Sequence, residues 1–259
     1  MSEKEILPDV KNIKQQETYT LPSKGLIYSK EDNIPSAITL RRMTTREDKL
    51  RLRNEGEDVI RRELLQACIL DDIDAGKLKI MDANFLLFRL RSISLLDDIY
   101  KVHCRCPHCS TEFVHEVNLL DVPVKYLSED MLSDMSTTLP ICGAEIKLKY
   151  PSMNDIVRMG TGLRHLRDNA SDPDIGAYLY TVGTAVYIDA VNGNYLMEEE
   201  LEQYIDNLDI IDSRALKDAI NGLDIVFGFD SDLKAKCPSC GNVLTHGLPI
   251  TSELFTPSK

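Results

Sequence analysis

"KCPSCGNVLTHGLPI", residues 236–250, and "YKVHCRCPHCSTEFVHEVNL", residues 100–119, decide the fold of this chain. Each stretch contains one Cys-Pro-x-Cys sequence, and the two stretches align without a gap. Val102 and Cys104 fall opposite Leu233 and Ala235, so the flanks share a strand-like pattern. Each stretch therefore predicts a strand, a tight turn carrying two cysteines, and a second strand, the unit known as a zinc knuckle.

The spacing of the cysteines matches the geometry of a metal site. Two thiolates separated by two residues can face one ion at about 2.3 Å, and a closed tetrahedral zinc site needs four ligands. Proline after the first cysteine fixes φ, and Gly241 can adopt a positive φ where its turn closes, a position that Ser110 fills less favourably. We predict a split ribbon around one structural zinc ion, with these metal ligands: Cys106, Cys109, Cys237 and Cys240. Such a shell has no open position for substrate or water.

Other side chains near the knuckles compete for a role in the site. Cys104 offers a third thiol in the first stretch, but its alignment with Ala235 predicts a strand residue beside the metal. Four histidines are interpreted as strand or turn residues of the ribbon: His103, His108, His115 and His246. Four basic residues either offset the negative charge of the thiolates or are ordinary surface residues: Lys101, Arg105, Lys234 and Lys236.

Thiol redox chemistry is an alternative use of the same motif. Cys-Pro-x-Cys is an active-site spacing when it begins a helix in a β-α-β unit. Here both copies lie among strand-forming residues, which favours metal binding. Of the remaining cysteines, Cys68 is predicted to be a buried core thiol, and Cys142 is isolated without a second cysteine nearby.

Composition and charge exclude several classes of function. A net charge of −12 at pH 7 repels nucleic acid, and no basic block provides a local binding surface. No apolar run approaches the roughly 20 residues that span a bilayer, and the N-terminus lacks the apolar core of a signal peptide. The sequence contains no G-x-S-x-G elbow, P-loop, H-E-x-x-H or G-x-G-x-x-G motif. We expect a cytoplasmic, non-enzymatic protein that binds no nucleic acid, membrane or small-molecule substrate.

The predicted fold class is α+β, with a mostly helical body, a split four-cysteine zinc ribbon and an N-terminal extended arm or hairpin. Because the knuckles are roughly 130 residues apart, the metal would tie the middle of the chain to its end and favour one cooperative body. The predicted divisions are 1–20, a flexible arm; 21–98, a β-hairpin arm plus helical bundle; 99–118 and 232–250, the two ribbon halves; and 119–231, a mainly helical insertion packed on the same body.

Local signals place elements before the first knuckle. Strand-like runs at 26–28 and 37–40 predict a hairpin. Thr44 and Glu47 form a capping box for a helix that would run to the break near Gly56. A second helix follows over 57–70. Asp82 is predicted to cap a third, almost continuously apolar helix, in which Arg89 and Arg91 would need acidic partners or solvent, an anionic ligand being the weaker alternative.

Between the knuckles, the pattern predicts a strand over 144–150 and then a helix opened by Ser152, where "GTG" (160–162) is a packing or kink feature. Pro173 is predicted near the start of a helix reaching about Asp189, although the last residues of that range could equally form a strand. Two short helices follow, the second capped by Ser213.

The order of several short motifs resembles a known family. These are "LPSKGLIY" (21–28), "ITLRRMTTRED" (38–48), "FLLFRLRSIS" (85–94), "CRCPHC" (104–109) and the closing "KCPSCGNVLTHGLPITSELF" (236–255). In this order they resemble the baseplate hub and hub-assembly family of contractile-tailed, T-even-like bacteriophages. The resemblance extends from residue 21 to about residue 255.

That resemblance implies a non-enzymatic viral protein, made in the host bacterial cytoplasm, that forms part of the central hub of the baseplate or assists its assembly. Its partners would be other tail or hub proteins, and the family offers no catalytic residues to transfer. The "LPSKGLIY" segment would be an exposed arm that docks on a neighbour's sheet edge. The alternative is a zinc-ribbon adaptor of nucleic acid or the transcription machinery, which the acidic composition fits poorly.

Overall fold

The computed structural model describes residues 16–95, 97–132, 135–169, 174–223, 227–229, 232–250 and 252–256. The helices are α1 (Thr45–Asp48), α2 (Glu57–Cys68), α3 (Ile80–Leu95), α4 (Met153–Asn169), α5 (Ile175–Ala185), α6 (Glu198–Asp206) and α7 (Ile210–Asn221). The strands are β1 (Gln16–Thr20), β2 (Ala37–Arg41), β3 (Ile99–Arg105), β4 (Glu112–Asn118), β5 (Val124–Lys125), β6 (Ser136–Thr138), β7 (Glu145–Leu148), β8 (Ile188–Val191), β9 (Gly228–Phe229), β10 (Leu233–Lys236) and β11 (Val243–His246). This mixture of helices and small antiparallel sheets is the predicted α+β class.

The first hydrophobic core forms around α3, which the sequence predicts to be central. Phe85, Leu86, Leu87 and Leu90 are buried on different sides of this helix, because its apolar residues do not follow a single stripe. The β1–β2 hairpin, α2 and the inner residues of β3 contribute to the same core. The ribbon is therefore attached directly to the helical body.

The N-terminal hairpin uses a different first strand from the predicted one. β1 (Gln16–Thr20) pairs with β2, although it falls inside the predicted flexible arm. The prediction of a strand over 26–28 is wrong, since these residues lie in a succession of turns. Lys24 and Gly25 have φ values of 51° and 79°, and two consecutive left-handed residues bend the chain away from an extended path.

The "LPSKGLIY" segment is not an exposed arm. Leu21 and Ser23 are fully buried, and the Ser23 N–H and hydroxyl both donate to the carboxylate of Asp82. The Tyr28 hydroxyl donates to the same carboxylate at 2.8 Å. These contacts hold the segment against α3, so the prediction of an exposed, extended arm is wrong.

Asp82 is not the cap of α3, because the helix begins at Ile80 and Asp82 lies in its first turn. Its side chain is fully buried, and burial raises the pKa of this carboxyl group. A buried carboxylate is stabilised by several donors, which Ser23 and Tyr28 provide. Asp82, which the sequence predicts to be a helix cap, instead binds side chains and backbone of the distant 21–28 segment.

The capping box at Thr44 is confirmed. The Thr44 hydroxyl accepts from the Arg46 N–H at 3.2 Å, and Glu47 accepts from the Thr44 N–H at 2.8 Å. The helix is shorter than predicted, since α1 ends at Asp48 and a 3-10 turn over Lys49–Leu52 follows it.

The predicted cap of α7 is also wrong. Asp209 caps this helix by accepting from the Ile211 N–H at 2.8 Å, so α7 begins several residues before Ser213. Ser213 is buried in the helix and its hydroxyl bonds to that of Tyr180. Both serine and aspartate are good caps, and local sequence does not decide between two candidates this close together.

The two arginines of α3 find different partners. Arg91 is fully buried, donates to the carbonyl oxygens of Asp97 and Ile99, and lies 3.4 Å from the Asp97 carboxylate. The predicted acidic partner of Arg91 is therefore present. Arg89 instead lies over the rings of Tyr19, Phe85 and Phe229, which is cation–π stabilisation.

A second hydrophobic core, which no sequence pattern predicted, lies within the insertion. It forms where the β6-β7-β8 sheet packs against α5, α6 and α7, with Ile146, Leu201 and Leu216 among its buried residues. Residues 188–191 form β8, so the strand alternative is correct and α5 ends at Ala185. The predicted helix start at Pro173 lies outside the described residues.

Helix α4 connects the two cores, because it packs against α2 on one side and α5 on the other. Its start at Ser152 is confirmed, since the Ser152 hydroxyl accepts from the Asp155 N–H. A side chain at Gly162 would collide with the Tyr178 hydroxyl, which supports the interpretation of "GTG" as a packing feature.

Residues 249–250 and 254–255, which follow the second knuckle, make their own contacts with the first core. Arg61 donates to the carbonyl oxygen of Ile250 at 3.1 Å, and Tyr100 donates to that of Pro249 at 2.8 Å. Leu254 and Phe255 are buried in the same core. Within the described part of the chain, no helix is both long and apolar enough to cross a membrane.

Candidate metal centre

Two β-hairpins carry the predicted ligands. β3 pairs with β4, and β10 pairs with β11, both antiparallel. The pairings Cys104↔Phe113 and Ala235↔Leu244 occupy equivalent positions in the two hairpins, as the alignment of the sequences predicts. These side chains face the core, while the turn at each hairpin tip holds two cysteines.

The two turns have nearly the same geometry. The Cys106 N–H donates to the Thr111 carbonyl at 2.9 Å, and the Cys237 N–H donates to the Asn242 carbonyl at 2.8 Å. Ser110 and Gly241 both adopt a positive φ, 58° and 74°. Gly241 does this at no steric cost, whereas Ser110 carries a side chain in a region that L-residues avoid.

The structure brings the four predicted ligands together. The sulfurs of Cys106, Cys109, Cys237 and Cys240 all lie within 4.8 Å of one another. Contacts cross between the knuckles, with Cys106 Sγ 3.6 Å from Cys240 Sγ and Cys109 Sγ 3.6 Å from Cys237 Sγ. Sulfurs placed tetrahedrally at 2.3 Å from an ion are about 3.8 Å apart, so the cluster fits one metal ion of this kind.

The four thiols differ in exposure. Cys106 and Cys237 are each 1% exposed, whereas Cys109 and Cys240 lie at the surface. Hydrogen bonds from the side chain and backbone of Thr111 lower the pKa of Cys109 to about 6. At Cys106 the backbone N–H of Cys109 favours the thiolate, but burial and the sulfur of Cys240 raise the pKa to about 11. Cys109 is therefore the more readily ionised thiol of its knuckle.

Cys104 lies outside this cluster. It is buried in β3 and contributes to the first core, and burial raises its pKa. Cys68 is a fully buried thiol of α2 whose pKa burial raises to about 12, as expected for a core residue. Cys142 is exposed, and its sulfur lies 4.0 Å from the Tyr204 hydroxyl, far along the chain from either knuckle.

Sequence reasoning missed a contact between two of the ribbon histidines. Nδ1 of His115 lies 2.7 Å from Nε2 of His246, and Nδ1 of His246 lies 2.8 Å from the Gly247 carbonyl. His246 therefore donates to Gly247 and, when neutral, accepts from His115. The two histidines are 131 residues apart, the same offset that relates the knuckles. This shared offset was the signal that could have revealed the pair.

Thr111 and Asn242 were also not singled out from the sequence. The Thr111 Oγ1 lies 3.2 Å from the Cys109 sulfur, and the Asn242 Nδ2 lies 3.4 Å from the Cys240 sulfur. They occupy equivalent positions in the two knuckles, although their side chains differ. The ribbon thus repeats its polar contacts as well as its cysteines.

Comparison with known families places the chain. A family model described as "T4 bacteriophage base plate protein" matches residues 16–256. The chain belongs to this family. The match covers both hairpins of the base plate protein and every residue that its structure describes, and it confirms the resemblance that the order of motifs indicates. No curated protein and no solved structure gives a significant match.

Proposed function

We propose that this base plate protein is a non-enzymatic structural component that works in the central hub of the baseplate or in its assembly. The match of residues 16–256 to a family described as phage base plate proteins is the main support for this proposal. The order of motifs resembles that of hub and hub-assembly proteins, which favours the hub over other parts of the baseplate. Its partners are then other tail proteins, first in the host cytoplasm during assembly and then in the virion tail.

One zinc ion closes the ribbon in this proposal. Four thiolates in a tetrahedral arrangement are the ligand set of structural zinc, and they leave no position open for substrate. Support comes from the crossed sulfur contacts between the two knuckles. Thiol redox chemistry is less well supported, because each Cys-Pro-x-Cys turn joins two strands and neither begins a helix.

The zinc would act on the fold. Cys109 and Cys237 are separated by 128 positions, and closing so long a loop removes about 4 to 5 kcal/mol of unfolded-state freedom. The ion would hold the end of the chain to β3 and β4, next to the first core. A rigid, correctly closed body is what an assembly component needs in order to present fixed surfaces to its neighbours.

Purification of baseplates and of hub assembly intermediates from infected cells tests both the hub assignment and the zinc assignment. We expect the chain to co-purify with hub proteins and to contain one zinc per chain by elemental analysis. Recovery only with peripheral baseplate proteins would overturn the hub assignment. Recovery with hub proteins but without a stoichiometric metal would overturn the zinc assignment alone.

A further inference from the structure

The four cysteines of the candidate centre divide into an inner and an outer pair. The inner sulfurs, of Cys106 and Cys237, are buried between the hairpins. The outer pair, Cys109 and Cys240, are exposed residues whose sulfurs complete the cluster. Around a divalent ion four thiolates leave a net double negative charge, so the outer pair needs donors that stabilise its charge.

One residue in each knuckle contacts both of its cysteines. The Thr111 carbonyl accepts from the Cys106 N–H at 2.9 Å, while the Thr111 hydroxyl lies 3.2 Å from the Cys109 sulfur. Asn242 repeats this arrangement, with its carbonyl 2.8 Å from the Cys237 nitrogen and its amide nitrogen 3.4 Å from the Cys240 sulfur. While Cys109 is a protonated thiol, its sulfur donates to the Thr111 hydroxyl. A thiolate has no proton to donate, so once Cys109 is ionised the hydroxyl becomes the donor, as the Asn242 amide already is toward Cys240.

We propose that Thr111 and Asn242 are positioning residues of the metal centre, which fix the outer thiolates and reduce their charge by donating one hydrogen bond to each. This inference rests on the proposed zinc site. A backbone role alone would be met by any residue at these positions, since the carbonyl accepts in every case. The side-chain donors add a role that acts on the sulfur itself.

Donors to a metal-bound thiolate have two measurable effects. They orient the ligand, and loss of such an outer contact typically weakens metal binding by about 10- to 100-fold. They also withdraw electron density from the sulfur. A bound Co²⁺ ion therefore reports their removal as a shift of its thiolate-to-metal charge-transfer absorption to lower energy, which loss of fold stability alone would not produce.

The test uses the full-length chain loaded with Zn²⁺ or Co²⁺. Thr111→Val keeps the branched shape but removes the hydroxyl, Thr111→Ser restores it, and Asn242→Leu removes the amide. Thr245→Val, on the exposed face of β11, is the matched control. We expect each loss of a donor to weaken Zn²⁺ binding about tenfold in competition with a chelator, and the double variant about 100-fold.

The charge-transfer band at saturating Co²⁺ should move to lower energy in Thr111→Val and Asn242→Leu and stay unchanged in Thr111→Ser and Thr245→Val. If the wild-type chain binds Co²⁺ with thiolate bands and Thr111→Val has the same affinity and spectrum, the positioning role is refuted while the metal site stands. If the wild-type chain shows no thiolate band with Co²⁺, the proposed site itself fails.

Discussion

At the scale of single residues, two buried carboxylates accept several hydrogen bonds each. Asp82 accepts three hydrogen bonds from Ser23 and Tyr28. Glu47 accepts from both Arg41 and Thr44. Asp82 joins the 21–28 segment to α3, and Glu47 joins the end of β2 to the start of α1, so each has a measurable effect on stability.

Asp82→Ala should lower the free energy of unfolding by about 3 kcal/mol, because it leaves the buried donors of Ser23 and Tyr28 without an acceptor. Urea unfolding measures this loss. Tyr28→Phe removes one of the three donors and also the acceptor of the Lys79 N–H, and should cost about 2 kcal/mol. An Asp82→Ala variant as stable as wild type would show that the "LPSKGLIY" segment is not held by this contact.

Glu47 predicts a pH dependence of stability. Hydrogen bonding from Arg41 is the largest cause that lowers the pKa of Glu47 to about 2, against an ordinary value of 4.5. A depressed carboxyl pKa stabilises the folded state above pH 4.5, and this contribution disappears as pH falls toward 2. Glu47→Gln should therefore cost about 2 kcal/mol at pH 7 and progressively less in acid.

Unfolding free energies of wild type and Glu47→Gln between pH 2.5 and 7 check this expectation, with Glu57→Gln as the control because Glu57 is exposed. The two curves should converge in acid for Glu47 only. A constant difference at all pH values would mean that the carboxylate charge does not contribute.

At the scale of elements, local sequence predicted those whose signal is contained in a few neighbouring residues. Both knuckle hairpins, helix α2 and the Thr44 capping box follow from short patterns. The failures occur where a distant contact competes with a local preference. The 26–28 segment has strand-forming residues, yet Ser23 and Tyr28 bind Asp82 and hold the segment in turns.

Ser110 and Gly241 occupy equivalent turn positions in the two knuckles, so each can be replaced by the residue found in the other knuckle. Ser110→Gly should stabilise the zinc-saturated chain by about 0.5 kcal/mol, since glycine relieves the left-handed strain but loses chain entropy. Gly241→Ser should cost about 1 kcal/mol, because its new Cβ would meet only Lys236 Cε at 3.8 Å and only the backbone conformation is penalised.

Thermal unfolding with saturating zinc measures both changes, and the double variant should return to near the wild-type midpoint. A Ser110→Gly variant that is less stable than wild type would contradict the equivalence of the two turns.

The contact between His115 and His246 predicts a second pH effect. Burial, and then the neighbouring His246, lower the pKa of His115 below its ordinary value of 6.5. The unfolded chain therefore takes up this proton at a higher pH than the folded chain, and stability falls as pH drops below 6.5. His115→Gln should lose this part of the pH dependence.

Zinc-saturated wild type and His115→Gln should be compared between pH 5 and 8, with His103→Gln as a control because His103 is exposed on β3. The stability advantage of wild type should shrink toward pH 5 relative to His115→Gln but not relative to His103→Gln. Parallel curves for His115→Gln would exclude a role for this titration.

At the scale of the whole molecule, the chain has two hydrophobic cores and one split ribbon. The ribbon hairpins contribute residues such as Val102, Leu233 and Leu244 to the first core, while the second core shares none of them. A zinc ion bound at the proposed centre is therefore expected to stabilise the first core most directly. The second core is coupled to the first through helix α4, which packs against both α2 and α5.

Cys237→Ser should abolish zinc binding and lower the free energy of unfolding by about 4 kcal/mol, the loop-closure contribution of the ion. Hydrogen exchange should show a larger loss of protection in α3 and β3 than in α7. Cys142→Ser is the matched control, since this thiol is exposed and outside the cluster. Equal loss of protection in both cores would show that the molecule unfolds as a single unit.

The sequence by itself determined the four cysteines of the cluster and the two hairpins that carry them, because knuckle spacing and strand alternation are set within a few residues. The order of its motifs indicated the family. Tertiary structure alone decided that "LPSKGLIY" is held by Asp82, that the end of the chain packs through Arg61 and Tyr100, and that the insertion has its own core. These features join residues far apart in the chain. Their stability comes from burial and from the satisfaction of distant polar groups, which no local pattern records.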